Sequence, residues 1–379
     1  MPASLGPDTV SVVVMKTIVP ILVILASLWP VSGQGQPPSL LPTVKVSTTL
    51  VTRVKHRPVP HPATTNHQAT VSNTSNSTMA MATTRLPKSG SKASSIKETA
   101  TLQTALDRNG FGVGLIDGQA GSRTTQALHD YAQSTGMTLT EARKDLLSDT
   151  EPATGTYTIT DDDLGKVGTA PTDWEEAAKV PAMACSSLDE VLLEQFHVSL
   201  LFLRRLNPSI TNWGTVVAGT RIVVPNSRAD DWSVDAARLE VDCSAYRIRA
   251  YDTNNDLIAS FPCSIAKKLH KVPAGDLTLV AFAPRPNYTF DPENFPESAH
   301  AREIGRKLII PPGPRNPVGV YWLSLNAPGF GMHGTPHPET IGRRESHGCF
   351  RLTNWDITTL SSMVEAGTPV RVMNVPAEE

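Results

Sequence analysis

The sequence predicts a multidomain chain. Its C-terminal part is a mainly β domain, a β-sandwich-like sheet with one helix after a cysteine. A small α-helical domain and a small α+β module precede it. Three observations carry this reading. Residues 236–375 hold many short β-rich runs bounded by Gly and Pro. Residues 98–150 show two helical patterns separated by an Asp-Gly turn. Residues 182–226 read as helix, helix, Asn-Pro, then strand. With 379 residues and 31 prolines, there is room for several cores joined by linkers. A net charge of −2 provides no global field for nucleic acid.

At the N-terminus, Lys16 precedes an apolar run over residues 17–29, followed by Ser32 and Gly33. That is the layout of an export signal peptide, residues 1–33, with Met15 as an alternative start. The run is too short for a bilayer-spanning helix, which needs about 20 residues. An uncleaved anchor is the alternative. Either way the rest of the chain is expected in the periplasm or cell envelope. Residues 34–97 are rich in Thr, Ser and Pro, with eight Lys/Arg and no Asp or Glu. They read as a disordered basic tether, either a plain spacer or a weak grip on an anionic wall or membrane surface.

In residues 98–150, Leu102, Ala105 and Leu106 sit at helical spacing until Gly110 and Gly112 break the pattern. Asp117-Gly118 forms a turn, and Thr125, Ala127, Leu128 and Tyr131 begin a second helix. Leu102-Gln103…Leu106, Asp117-Gly118…Gly121 and Thr125…Ala127-Leu128 resemble the hallmarks of the small helical peptidoglycan-binding domain, with the last match one residue out of step. Residues 151–181 are acidic and read as a loop-like connector. Then Ser187 and Glu190 offer a capping box for one helix, His197-Val198-Ser199 a turn, and Asn207-Pro208 the end of a second helix. Residues 218–225 give a closing strand. This half is similar to a LysM module, a family that binds N-acetylglucosamine chains. The usual opening strand is missing at Met183-Ala184-Cys185-Ser186, which puts glycan binding in doubt.

In the β block, runs at residues 239–251, 257–265, 277–282, 307–310, 318–323 and 369–373 are strand-like. Thr353 and Asp356 offer a capping box to one helix with Ile357, Leu360 and Val364 as its buried stripe, stopped by Gly367. Cys243 and Cys263 flank a turn at residues 253–256, opposite one another in a hairpin. A disulfide and two buried thiols fit equally well. Cys349 precedes the helix, whose N-terminus favours thiolate. Gly348 permits close backbone approach, and amides near Cys349 offer an oxyanion hole. His333 lies sixteen residues before Cys349, at an expected strand end, and is the candidate base. His347 lines or orients the site, and Ser346 supports the histidines through hydrogen bonds. His333, His337, His347 and Cys349 fit no zinc-ligand spacing, so no metal is implied.

His333-Gly334-Thr335, Ser346-His347-Gly348-Cys349, Arg351 and Leu352 together resemble the signature of the YkuD-type L,D-transpeptidase catalytic domain. Residues 341–345 and 272–275 resemble it too, so the likeness spans 236–375. The resemblance implies peptidoglycan stem peptides and glycan strands as partners. It implies ping-pong acyl transfer with Cys349 as nucleophile and His333 as proton donor and acceptor. Arg351, Gly334, Thr335 and Arg344 would lie on the substrate side, although an exposed loop charge is an equal reading for Arg344. Thiol acyl transfer needs no cofactor. Water as acceptor would make an L,D-carboxypeptidase, and a wall-binding protein without catalysis is the remaining alternative.

Overall fold

The computed structural model describes residues 89–228, 234–295 and 297–377. The expected export segment and most of the basic tether lie outside the described residues. Among the described residues, no helix is long and apolar enough to cross a membrane.

Three helices come first, α1 Ser89–Arg108, α2 Ser122–Thr135 and α3 Leu139–Leu147. Helix α1 thus begins within the stretch read as tether. Buried Gln103 explains the Asp-Gly turn. Its Oε1 accepts from the Asp117 and Gly118 amides (3.0 and 2.8 Å), and its Nε2 donates to Asp117 Oδ1 at 2.9 Å. Gly118 turns in the left-handed region, φ +69°, against Ile96.

Next come β1 Thr154–Thr158, α4 Asp161–Gly165, α5 Trp174–Ala177, α6 Leu188–Phe196, α7 Leu200–Leu206 and β2 Arg221–Pro225. The loop-like reading of 151–181 is corrected here. Strand β1 pairs antiparallel with β2, Thr154 opposite Pro225 and Thr158 opposite Arg221. The acidic run 161–163 is the first turn of α4, where Thr160 and Asp163 form a capping box and acidic groups favour the helix N-terminus. The capping expected at Ser187 also shifts by one residue, because Glu190 accepts from Ser186 N at 2.7 Å.

The β block contains β3 Arg238–Asp242, β4 Arg247–Tyr251, β5 Leu257–Pro262, β6 Ile265–Ala266, β7 Gly275–Pro284, β8 Tyr288–Phe290, α8 Ala299–Ile304, β9 Leu308–Ile310, β10 Tyr321–Leu325, β11 Gly331–His333, β12 Arg344–Ser346, β13 Phe350–Arg351, α9 Asn354–Met363 and β14 Pro369–Met373. The run 239–251, expected as one strand, is two. Tyr246 at φ +52° turns the chain between β3 and β4. Cys243 and Cys263 are both buried, free thiols. Eight strands form one mixed sheet in the order β13-β11-β10-β7-β14-β3-β4-β5. Ten-residue β7 curls it, pairing with β14 through its first half and β10 through its second. Helix α9 packs Ile357, Leu360 and Met363 into the concave core with Leu323, Met332 and Phe350.

The helical region docks on the β5 edge. The Gly112 amide donates to Ser260 O (2.8 Å) and the Ser260 amide to Gly110 O (3.1 Å), covering an edge that would otherwise invite strand pairing. Fully buried Arg247 donates to Asp130 of α2 (3.0 Å) and to Gly112 O (2.7 Å). Phe111, Tyr251 and Leu257 share one apolar cluster across this junction.

Candidate active site

Strands β11 and β13 run parallel at one edge of the sheet, Met332 opposite Phe350 and His333 opposite Arg351. Met332 and Phe350 point into the core with no exposed surface. Alternation along a strand therefore turns His333 and Arg351 to the other face, and Cys349 stands in the bend that leads into β13. The thiol of Cys349 points at Gly329 O, 3.6 Å away, in the β10–β11 turn, and the Gly331 amide hydrogen-bonds the sulfur.

His333 is 5 % exposed and its ring stacks on Trp322, centroids 5.4 Å apart. Its Nδ1 lies 2.7 Å from Gly334 O, which assigns the proton to Nδ1 and leaves Nε2 as a free base. Burial pushes its pKa down to about 4, more than the Gly334 carbonyl restores, and Arg351 adds to the depression. The imidazole is therefore neutral through the physiological range.

Cys349 departs from the sequence expectation. Strand β13, Leu352 and Thr353 stand between it and α9 in the chain. Burial pushes the thiol up, and the Gly331 amide and Arg351 offset only part of that. The resting pair is thiol and neutral imidazole rather than thiolate and imidazolium. Alkylation of Cys349 by iodoacetamide is therefore expected to keep rising with pH up to 9. A plateau below pH 8 would show a preformed thiolate.

Ser346 supports the nucleophile's backbone rather than the histidines. Its hydroxyl donates to Cys349 O at 2.6 Å and accepts from the Gly348 amide at 3.2 Å. A Cβ on Gly348 would stand 2.5 Å from Phe330 Cε1. Gly348→Ala is expected to shift Cys349 and lower turnover about 100-fold, the scale of an ångström misplacement. Activity and melting temperature measured together would show this as a catalytic loss without unfolding.

Arg351 is half-buried, and its charge is felt by Cys349, His333, His347 and Tyr288. Its Nε is buried without a hydrogen-bond partner among the described residues. His347 is exposed on the rim, edge-on to Phe295 at 5.5 Å. Gly334 and Thr335, expected on the substrate side, are buried, as His333 is. Gly334 N donates to Tyr321 O (3.3 Å), a Cβ there would meet Asn354 Oδ1, and Thr335 Oγ1 accepts from His337 N (3.2 Å). Arg344 is exposed on β12. Asp356 does not close the expected capping box, for its carboxylate pairs with Arg228 at 2.9 Å while Thr353 alone caps α9. Among the described residues, no group of three His, Cys, Asp or Glu converges as a metal site. Sequence reasoning missed Tyr288, Phe295 and Trp322. No motif marks them, and only folding brings them to the site.

Comparison with known proteins finds a family likeness over the β block. Residues 236–372 match the family model of the YkuD L,D-transpeptidase catalytic domain. The chain is 29 % identical over 183 residues to the Bacillus licheniformis protein assigned as the L,D-transpeptidase YkuD, covering 48 % of this chain and 92 % of that one. It is 28 % identical over 192 residues to the Escherichia coli protein assigned as the L,D-transpeptidase YcfS, covering 49 % and 59 %. Among solved structures, the catalytic domain of an Enterococcus faecium L,D-transpeptidase aligns at 23 % identity and TM-score 0.27, over 37 % of this chain and 98 % of that one.

Proposed function

We propose that this chain, whose residues 236–372 match the family model of the YkuD L,D-transpeptidase catalytic domain, uses Cys349 for acyl transfer between peptidoglycan stem peptides. The observation that carries this reading is the β11–β13 register. It sets a neutral His333 beside a half-buried Arg351, next in the chain but one to Cys349.

The chemistry follows from those groups. A peptide carbonyl enters between the L-centre of the third stem residue and the D-residue after it. His333 Nε2 takes the thiol proton as sulfur attacks the carbonyl carbon. The C–N bond breaks, the D-residue leaves as an amine carrying that proton, and a thioester remains on Cys349. An acceptor amine then attacks the thioester carbon and gives its proton to His333. The sulfur leaves and recovers that proton. With a second stem peptide as acceptor, the product is a 3→3 cross-link. Arg351 holds a stem carboxylate beside the reacting carbonyl. Arg351→Lys keeps the charge and loses the planar fork, so kcat/KM is expected to fall about tenfold, and Arg351→Ala about 100-fold. Equal losses in the two variants would argue against a bidentate contact.

The preceding regions support action on peptidoglycan. Residues 98–150 act as a peptidoglycan-binding-like domain. The β1–α6–α7–β2 arrangement serves as a LysM-like module whose opening strand is β1. Export through the N-terminal segment to the cell envelope completes the proposal. Incubation of the reduced full chain with a disaccharide-tetrapeptide tests it. Release of the terminal D-residue together with a dimer is expected. Release without dimer would point to water as acceptor. No release would return the weight to a wall-binding protein.

A further inference from the structure

The arm formed by β8, α8 and β9 stands beside the Cys349 face. Phe295 meets His347 edge-on, and Tyr288 lies close enough to Cys349 and Arg351 to feel both. Two strands of three residues, paired Tyr288 to Ile310 and Phe290 to Leu308, are too short to be stable alone. The core of the arm is completed from elsewhere. Phe290, Ala301, Leu308 and Ile310 bury their side chains with Ala177 and Met183, which precede α6 in the chain. Trp174, the first residue of α5, stacks on Phe290 with centroids 4.6 Å apart. It also lies 6.0 Å from Tyr288 and 6.1 Å from Phe295.

Polar contacts surround this stack. His300 Nε2 lies 2.9 Å from Asp173, and Arg306 pairs with Glu175 at 2.7 Å. The Met183 amide donates to Pro312 O (2.9 Å), and the Arg315 amide donates to Met183 O (3.2 Å). Gly313 approaches so closely that a Cβ would collide with the Met183 carbonyl. One segment, residues 173–183, thus engages both the arm and the chain that follows it.

We infer that residues 173–183 form a clasp, supplied from outside the catalytic domain, that holds the arm beside Cys349 and governs access to the thiol. Trp174 is the positioning residue, acting on the site through Phe290 and Phe295. The clasp makes the preceding module a determinant of which peptides reach the nucleophile. That last consequence rests on the acyl-transfer reading above.

The test uses the reduced full chain, Trp174→Ala, and the conservative Trp174→Phe. Hydrogen exchange is followed at the β8 and β9 amides, with β10 and β11 as internal controls. Alkylation of Cys349 by iodoacetamide is timed in parallel. In Trp174→Ala the arm amides are expected to exchange, and Cys349 to alkylate, about tenfold faster, as local opening frees both. Exchange in β10 and β11 stays as in the parent, and Trp174→Phe recovers most of the difference. Unchanged arm exchange, a rise spread equally over β10 and β11, or an unaltered alkylation rate beside a loosened arm would overturn the clasp. Neither readout needs a peptide substrate. Absence of tetrapeptide turnover in the parent protein therefore refutes the acyl-transfer reading and leaves the clasp to be judged on these two rates.

Discussion

Cys349→Ala is expected to lose at least about 10,000-fold in turnover of a tetrapeptide donor, the scale seen when one member of a nucleophile–base pair is removed. Stability changes little, since the thiol is half-buried and its one protein acceptor, Gly329 O, lies at a long 3.6 Å. His333→Gln is expected to fall by a similar factor, because the thiol pushed up by burial needs a proton acceptor to react. The double variant is no slower than either single one, since the two groups act as a unit. Additive losses would mean that His333 and Cys349 work independently, and the reading of the β11–β13 face would have to be abandoned.

The second large effect lies away from the site. Asp107 ends α1, His197 caps α6, Arg228 follows β2, and Asp356 sits in the first turn of α9. All four are buried. His197 Nδ1 and the Arg228 amide each lie 2.9 Å from Asp107 Oδ2, and Arg228 Nη2 pairs with Asp356 at 2.9 Å. Burial pushes Asp107 up, but His197 and Arg228 more than offset it and hold the carboxyl well below its usual range. Burial raises Asp356 despite Arg228. Arg228 is therefore the cation that reconciles two buried carboxylates from different regions of the chain. Arg228→Met leaves Asp356 without its ion pair and Asp107 with His197 alone, a cost of about 3–5 kcal/mol. Calorimetry is expected to show the melting temperature falling by about 10 °C for a unit of this size. A drop of a degree or less would show that the junction does not depend on this charge.

The candidate site residues are legible because they are nearly contiguous. His333 and Cys349 belong to two short stretches, and one strand pairing sets those stretches side by side. What resisted reading depends on long-range contacts. The run 239–251 alternates well enough for one strand, and nothing in Tyr246 itself announces a turn. The acidic stretch 161–163 resembles a solvated loop until Thr160 is seen to cap it. Gly334 and Thr335 carry the motif, but their contacts with Asn354 and the His337 amide form only in the folded chain. The burial that pushes the Cys349 thiol up likewise comes from the folded surroundings and not from the motif. The clasp on the arm could not be read at all, because Trp174 meets Phe290 only in the folded chain.

In the proposed reaction a stem-peptide acyl group resides on Cys349 during turnover. Intact-protein mass spectrometry of the reduced full chain, quenched in acid during incubation with a tetrapeptide donor, detects that group. An adduct equal to the donor less its terminal D-residue is expected, removable by hydroxylamine and absent from Cys349→Ala. A folded, alkylatable protein that forms no such adduct, or an adduct that persists in Cys349→Ala, would contradict that reaction.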